Sequence, residues 1–258
     1  LAREEGKIWL IPRAAPGDVV DARVVRERRG MVEGEIDAVL EPGPDRIEPA
    51  CPAYGRCGGC HLQHIAHERQ AGLKVGVLRE VLQRSGRIEA GPVEAITGEP
   101  LGWRYRIELH LRDGHLGFFE RRSSALIEVD ACPIARPGVS AALPALRAAL
   151  AGCTRRLPDS EVELVEAGEG RVWIVLRPPQ GAKGDPEGLD VLVRVLAPVP
   201  CVAGVLSGRG RILAGEAAQA SIDWPTIGRG GEDVLLRVGP ASFTQANPGL
   251  NRALVRAV

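Results

Sequence analysis

Three cysteines lie close together in Cys51-Pro52-Ala53-Tyr54-Gly55-Arg56-Cys57-Gly58-Gly59-Cys60. Thiols at such spacing, in a long chain with only six cysteines and no visible secretion leader, are better suited to holding a metal ion or a cluster than to forming a disulfide framework. Gly58 and Gly59 let the backbone fold tightly around an inorganic core and point amides at sulfur. The alternative is a set of buried thiols with no ligand. Zinc fingers favour two separated pairs, which this triplet is not, so a fourth ligand has to come from elsewhere. Cys132, in Asp130-Ala131-Cys132-Pro133, follows an expected strand and precedes a proline, where the chain can turn back. Cys153 and Cys201 lie in apolar or turn-like surroundings and are expected to be small core residues. His61, His64 and His67 follow the triplet and are expected to face solvent or to support the ligands from outside.

The elements that must position these groups can be read from periodicity. Short apolar runs at 7–12, 19–25 and 31–40, separated by Gly and Pro turns, predict a small β-barrel. The proline-rich stretch at 41–49 predicts a domain boundary. Leu73, Val77, Leu78, Val81 and Leu82 share one side of a helix predicted over 67–85, with Gly86 as its stop. Residues 103–112 alternate with period two, Asp113-Gly114 is a hairpin turn, and residues 115–122 return. Strands at 161–166, 171–177, 201–206 and 234–238, with helices at 139–151 and 186–197, complete an α+β pattern rather than a repeating βαβ one. Asn247-Pro248 is a good N-cap and first helical residue for a last helix.

The 258 residues carry 33 basic and 33 acidic side chains, a net charge of zero. That excludes a globally basic nucleic-acid coat but not a local basic face. All basic residues except Lys7, Lys74 and Lys183 are arginines, suited to bidentate phosphate contacts. Arg26-Glu27-Arg28-Arg29-Gly30, between two barrel strands, could grip phosphate or be a solvated hairpin tip. No apolar run approaches the ~18 residues of a membrane span. The chain opens on Leu1-Ala2-Arg3 without Met and closes inside the last predicted helix, which reads as a cut at both ends.

Together these residues resemble the S-adenosylmethionine-dependent RNA uracil-C5 methyltransferases that carry an iron–sulfur cluster, with the ribosomal RNA branch favoured. The barrel is similar to that family's N-terminal TRAM domain, an OB-like RNA-binding fold. Cys51, Cys57 and Cys60, with Gln63-His64 after them, match its cluster motif, and Trp103-Arg104-Tyr105-Arg106 through Cys132-Pro133 match its central domain and fourth cluster cysteine. Phe243-Thr244-Gln245-Ala246-Asn247-Pro248 matches the Phe-x-Gln-x-Asn-Pro motif that opens its methyltransferase domain.

The resemblance implies a TRAM-like barrel over 1–45, a mixed α/β cluster-binding and RNA-recognition domain with its iron–sulfur loop over 46–230, and the start of a Rossmann-like domain over 231–258. It implies a [4Fe–4S] cluster on Cys51, Cys57, Cys60 and Cys132, and Gln245 lining the S-adenosylmethionine and target-base pocket. RNA is the expected partner, met by Arg26, Arg28 and Arg29 on the barrel and by Arg104, Arg106, Arg121 and Arg122 on the central sheet. A cytoplasmic monomer is expected. The family's nucleophilic cysteine lies in Ser-Cys-Asn-Pro after an Asp-Pro-Pro-Arg segment; neither string occurs here, and Arg177-Pro178-Pro179-Gln180 is a chance echo. These 258 residues are therefore expected to hold no catalytic residue and to transfer no methyl group by themselves. The alternative is a non-enzymatic RNA- or ribosome-binding module with a structural metal.

Overall fold

A computed structural model describes residues 2–216, 220–228 and 230–257. The chain divides into two compact units. The first comprises residues 1–55 and 59–95, and the second residues 56–58 and 96–258.

The first unit is built on four strands, β1 (Ala2–Glu4), β2 (Lys7–Leu10), β3 (Val19–Arg28) and β4 (Met31–Glu41), in the order β1-β2-β4-β3. Three match the runs expected from the sequence; β1 is an addition. Glu5 and Gly6 both take positive φ (47° and 76°), the geometry of a two-residue hairpin whose twist suits flanking strands. β2 and β4 run parallel, whereas β3 and β4 form a long antiparallel hairpin with three register shifts. Such bulges bend a ribbon and increase its twist. Val32 is buried at the centre, and the Trp9 ring lies over Gly34. What forms is a curled four-stranded sheet; a closed barrel is the part of the expectation that these strands do not establish.

The proline-rich stretch is fastened to this sheet rather than standing off as a linker. A Cβ at Gly43 would stand 2.3 Å from the Pro16 carbonyl oxygen, so only glycine permits the approach. Asp18, its side chain almost wholly buried, gathers the contact. Its Oδ1 accepts from the Gly43 amide (2.8 Å) and Arg46 Nε (2.9 Å), and its Oδ2 from the Ala15 amide (2.5 Å) and Arg46 Nη2 (2.6 Å). The compact unit then continues to residue 95. Helix α1 (His67–Val81) is followed by a π-helical turn over Leu82–Gly86, and Arg87, not Gly86, takes the left-handed conformation. No residue of α1 is buried, and Val77 and Val81 are more than half exposed, so the apolar side expected to pack is open to solvent within this unit.

The second unit is centred on a seven-stranded sheet in the order β11-β10-β9-β8-β5-β6-β7. Its strands are β5 (Arg106–Arg112), β6 (His115–Phe119), β7 (Leu126–Ile127), β8 (Ser160–Gly168), β9 (Arg171–Arg177), β10 (Val202–Ser207) and β11 (Ile212–Ala214). β9 and β10 are parallel, joined through helix α3 (Pro186–Leu196); the other neighbours are antiparallel. Period-two alternation divides the faces. Ile107, Leu109, Leu111, Val162, Leu164, Val172, Ile174 and Leu176 pack under α2 (Pro137–Ala151) and α3. Helix α2 contributes Val139, Ala142, Leu143, Leu146 and Leu150, the spacing of one helix face. Asp185 caps α3 by accepting from the Gly188 amide at 2.9 Å. At one end of the opposite face, Tyr105, Val165, Trp173, Val175 and Leu206 are covered by Ile222 and Trp224 of a hairpin, β12 (Ile222–Ile227) and β13 (Asp233–Val238). Helix α4 (Pro248–Ala257) closes the described chain.

The Arg46 guanidinium and, after it, the Gly43 and Ala15 amides hold the Asp18 pKa at about 2 against the opposing effect of burial. A depressed carboxyl pKa stabilises the fold above its unfolded value and stops doing so as pH falls through the folded value. Unfolding of the first unit, followed by hydrogen exchange of β2–β4 amides, should show a loss of about 2 kcal/mol between about pH 4 and pH 2. In Asp18→Asn the unit should be weaker at neutral pH and most of this acid dependence should be gone.

Candidate functional site

The cysteine loop is an excursion closed at its base. Arg46 and Ile65 bridge, the Ile47 amide donates to His64 O (3.0 Å), and the Ala66 amide donates to Asp45 O (2.9 Å). Within it, a turn brings the Tyr54 amide to Cys51 O (2.9 Å), and Gln63 Oε1 accepts the Cys51 amide proton (3.1 Å). The Tyr54 hydroxyl donates to His61 O at 2.8 Å and lies 2.5 Å from His64 Nδ1. His64 is only 3% exposed, which leaves the supporting alternative rather than the solvent-facing one for this ring; burial, then the nearby Arg46 charge, lowers its pKa. His61 is exposed as expected.

Residues 56–58 belong to the second unit. There Cys57 bridges to Glu120, the Gly58 amide donates to Phe119 O (3.1 Å), and Arg56 pairs with Glu120 (2.7 Å). Cys132, also in the second unit, opens a tight turn in which the Ala135 amide returns to Cys132 O (3.0 Å), while Ser140 Oγ accepts the Cys132 amide proton (2.9 Å). Cys51 and Cys60 belong to the first unit. Among the described residues no three Cys, His, Asp or Glu side chains are gathered as a metal site. Cys153 and Cys201 pack against the helix-covered core, as expected, and burial pushes the Cys201 thiol up.

On the open face of the second unit's sheet, the central feature is the Glu163 carboxylate. Its Oε1 receives Arg106 Nη1 (3.0 Å) and its Oε2 receives Arg177 Nη2 (2.8 Å). Arg106 Nη2 also donates to the carbonyls of Pro240 (3.2 Å) and Ser242 (3.0 Å). Arg106 was expected to face RNA; it is instead a largely buried strut between the sheet and residues 240–242, held there because Glu163 is a desolvated partner. The Tyr105 amide donates to Ala246 O (2.9 Å), continuing the attachment. Thr244 is buried, and Asn247 Oδ1 accepts the Leu250 amide proton (3.0 Å), capping α4. Between anchored neighbours Gln245 is exposed, its amide open to a polar ligand, and Phe243 stands 84% exposed beside it.

The other expected arginines fall in three settings. Arg26, Arg28 and Arg29 are exposed at the β3–β4 tip, where Lys7 pairs with Glu27. Arg104 is half-buried, its Nε donating to Arg106 O (3.1 Å). Arg121 and Arg122 lie on the β6–β7 turn, Arg122 exposed and with φ of 57°. Sequence reasoning missed Glu163 and Arg177. The alternation of Glu161 and Glu163 with Val162 and Leu164 signals the face but not the partner.

No protein-family model matches the chain. It is 39% identical over 176 residues to the 23S rRNA (uracil(1939)-C(5))-methyltransferase RlmD of Azoarcus sp. (strain BH72), covering 65% of this chain and 41% of that protein. The protein of that name from Nitrosospira multiformis is 32% identical over 270 residues, covering 99% of this chain and 59% of the relative. The chain thus spans about three fifths or less of the length of these curated relatives. Among solved structures, the Pyrococcus abyssi tRNA (uracil-54, C5)-methyltransferase in complex with S-adenosyl-L-homocysteine matches with a TM-score of 0.59 over 96% of this chain and 59% of that one. At 22% identity that likeness concerns the fold alone.

Arg106→Ala should detach residues 240–247 while leaving Glu163 paired to Arg177. Amide exchange in that segment should rise, and stability should fall by about 2 kcal/mol, the scale of a hydrogen bond to a charged group. Unchanged protection at Ala246 and its neighbours would mean that Tyr105 alone holds the segment.

Proposed function

The chain belongs to the RNA uracil-C5 methyltransferase family, and from that premise we propose that it serves in methylating a uridine of ribosomal RNA at C5, in the cytoplasm, with S-adenosylmethionine as donor. The observation that carries this is a relative named for that reaction, 32% identical over 99% of the chain. A purely binding module is not favoured, because the relatives are named as enzymes.

In this reading the first sheet is a TRAM-like RNA grip, with Arg26, Arg28 and Arg29 exposed on one hairpin, and residues 231–258 open a methyltransferase domain. S-adenosylmethionine supplies the methyl group when bound. Gln245 suits the pocket edge, since an exposed carboxamide both donates and accepts hydrogen bonds, and Thr244 and Ala246 on either side keep it in place. We assign the nucleophile and the base to no residue of this chain. Arg121 and Arg122 remain candidates for phosphate contacts, whereas Arg106 positions the motif.

The donor set of Cys51, Cys57, Cys60 and Cys132 suits a [4Fe–4S] cluster: four soft thiols, each half-buried, with amides of a glycine-rich turn beside them. Its proposed role is structural, because C5 methyl transfer needs no electron.

Anaerobically purified protein should be brown with about four irons per chain. Cys→Ser at any of the four positions should abolish that iron, and at Cys153 or Cys201 should leave it; stoichiometric zinc without iron overturns the assignment. For the reaction, the product of the reading frame that carries these residues should transfer tritium-labelled methyl to uridine C5 of 23S rRNA. Gln245→Ala should slow transfer at least about tenfold, 1.4 kcal/mol of transition-state binding, with iron content unchanged. Absence of labelled 5-methyluridine would refute the proposed activity.

A further inference from the structure

One cavity of the second unit is lined by none of the four arginines of that unit expected from the sequence to meet RNA. It is an open groove of about 2110 Å³ at the carboxyl ends of the parallel strands β9 and β10, bounded by the loops 152–159, 178–185 and 207–211. Small-molecule sites occupy roughly 300–1,000 Å³, so the groove suits a chain ligand better than a metabolite.

Its loops present five cations to solvent: Arg155, Arg156, Lys183, Arg209 and Arg211. Among the described residues none of the five forms an ion pair, although the other lining arginines do: Arg177 is held by Glu163, and Arg112 stands 3.9 Å from Asp159. An unpaired cationic cluster on a chain of zero net charge repels itself and attracts a polyanion. The 207–211 turn is closed by hydrogen bonds: Ser207 N donates to Arg211 O (2.8 Å), Gly210 N to Ser207 O (2.8 Å), and Arg211 N to Ser207 Oγ (3.1 Å). Gly208 is flush with Arg177, whose Cγ would stand 2.5 Å from an added Cβ.

The strand wall carries acids. Glu161 and Glu108 line it from β8 and β5, and outside the strands Asp185 caps α3, Asp159 stands 3.9 Å from Arg112, and Asp113 and Glu187 complete the acidic lining. Phosphates are therefore excluded from that wall and confined to the five unpaired cations, while carboxylates of the wall can accept from base amino groups. Unpaired cations on the loops with carboxylate acceptors between and beneath them match a single strand that offers both phosphates and base amino groups; an acidic peptide, which offers no such donors along its side chains, would meet repulsion from the carboxylates.

We propose that this groove binds a single-stranded segment of the RNA substrate, its phosphates on Arg155, Arg156, Lys183, Arg209 and Arg211. The assignment rests on the proposed RNA substrate and extends the contact surface beyond the arginines named from the sequence.

The test is fluorescence anisotropy of the 258-residue chain with a labelled single-stranded RNA of about 12 nucleotides, titrated from about 50 to 200 mM KCl. R209E/R211E and R155E/R156E should each weaken binding at least about tenfold at low salt and lower the log–log salt slope by about 0.7 per lost phosphate contact. Should a reversed pair fail a circular-dichroism check, R209Q/R211Q, on an exposed turn, should give a smaller loss of the same sign. If the groove variants bind as the parent does while R28E/R29E weakens binding, the groove proposal is overturned and the RNA reading stands. A parent chain that binds no RNA at low salt removes both. Displacement of the RNA by polyglutamate as readily as by unlabelled RNA would reassign the groove to an acidic protein partner and also overturn the proposal.

Discussion

A buried carboxylate between two guanidinium groups organises the open face of the large sheet. Glu163 has little solvent of its own, so it depends on Arg106 and Arg177 for compensation. Buried charges are tolerated when paired and hydrogen-bonded, and removing one partner is costly. Because Arg106 still has a second fork free after meeting Glu163, it holds residues 240–242 against the start of β5. The placement of the Gln245 segment therefore depends on an ion triad formed between three strands as well as on the segment's own anchors at Thr244, Ala246 and Asn247.

The same sheet separates two kinds of work. Its helix-covered face is continuous hydrocarbon, with Leu109, Leu164 and Ile174 fully buried, and provides the stability. Its other face mixes an aromatic end, where Tyr105 meets Trp224 edge-on at 5.5 Å, with a charged middle. His110 and Phe119 stack at 3.6 Å on that middle, and the Arg112 guanidinium lies over Phe119. Polar groups on this second face remain within reach of a ligand, which hydrocarbon under two helices does not.

Much of this architecture was legible in the residues. Alternation located β5; Asp113-Gly114 located a hairpin and with it β6; short apolar runs located β8, β9 and β10; Asn247-Pro248 located the last helix start. Reading failed where the deciding contact was distant in sequence. Arg106 looked like a free phosphate ligand because nothing local names Glu163 as its partner. The proline-rich stretch looked like a linker because its composition does not reveal Asp18 and Arg46 fastening it to the sheet. Which of the three histidines is buried was not legible, because the burial of His64 comes from the closed base of its loop. The apolar side of α1 looked like core, yet it is uncovered within its unit.

The two-forked role of Arg106 also bears on the order in which the chain is made. Synthesis runs from the N-terminus at about 5–20 residues per second, so Ser242 leaves the ribosome several seconds after Glu163. Arg106 and Glu163 can meet during that interval, across β5 and β8, with no contribution from the later segment. In that order of synthesis Arg106 has a carboxylate partner available before the later segment arrives. The late-arriving segment meets a finished donor, and its docking becomes a local closing step on an existing surface rather than a condition for the sheet to form.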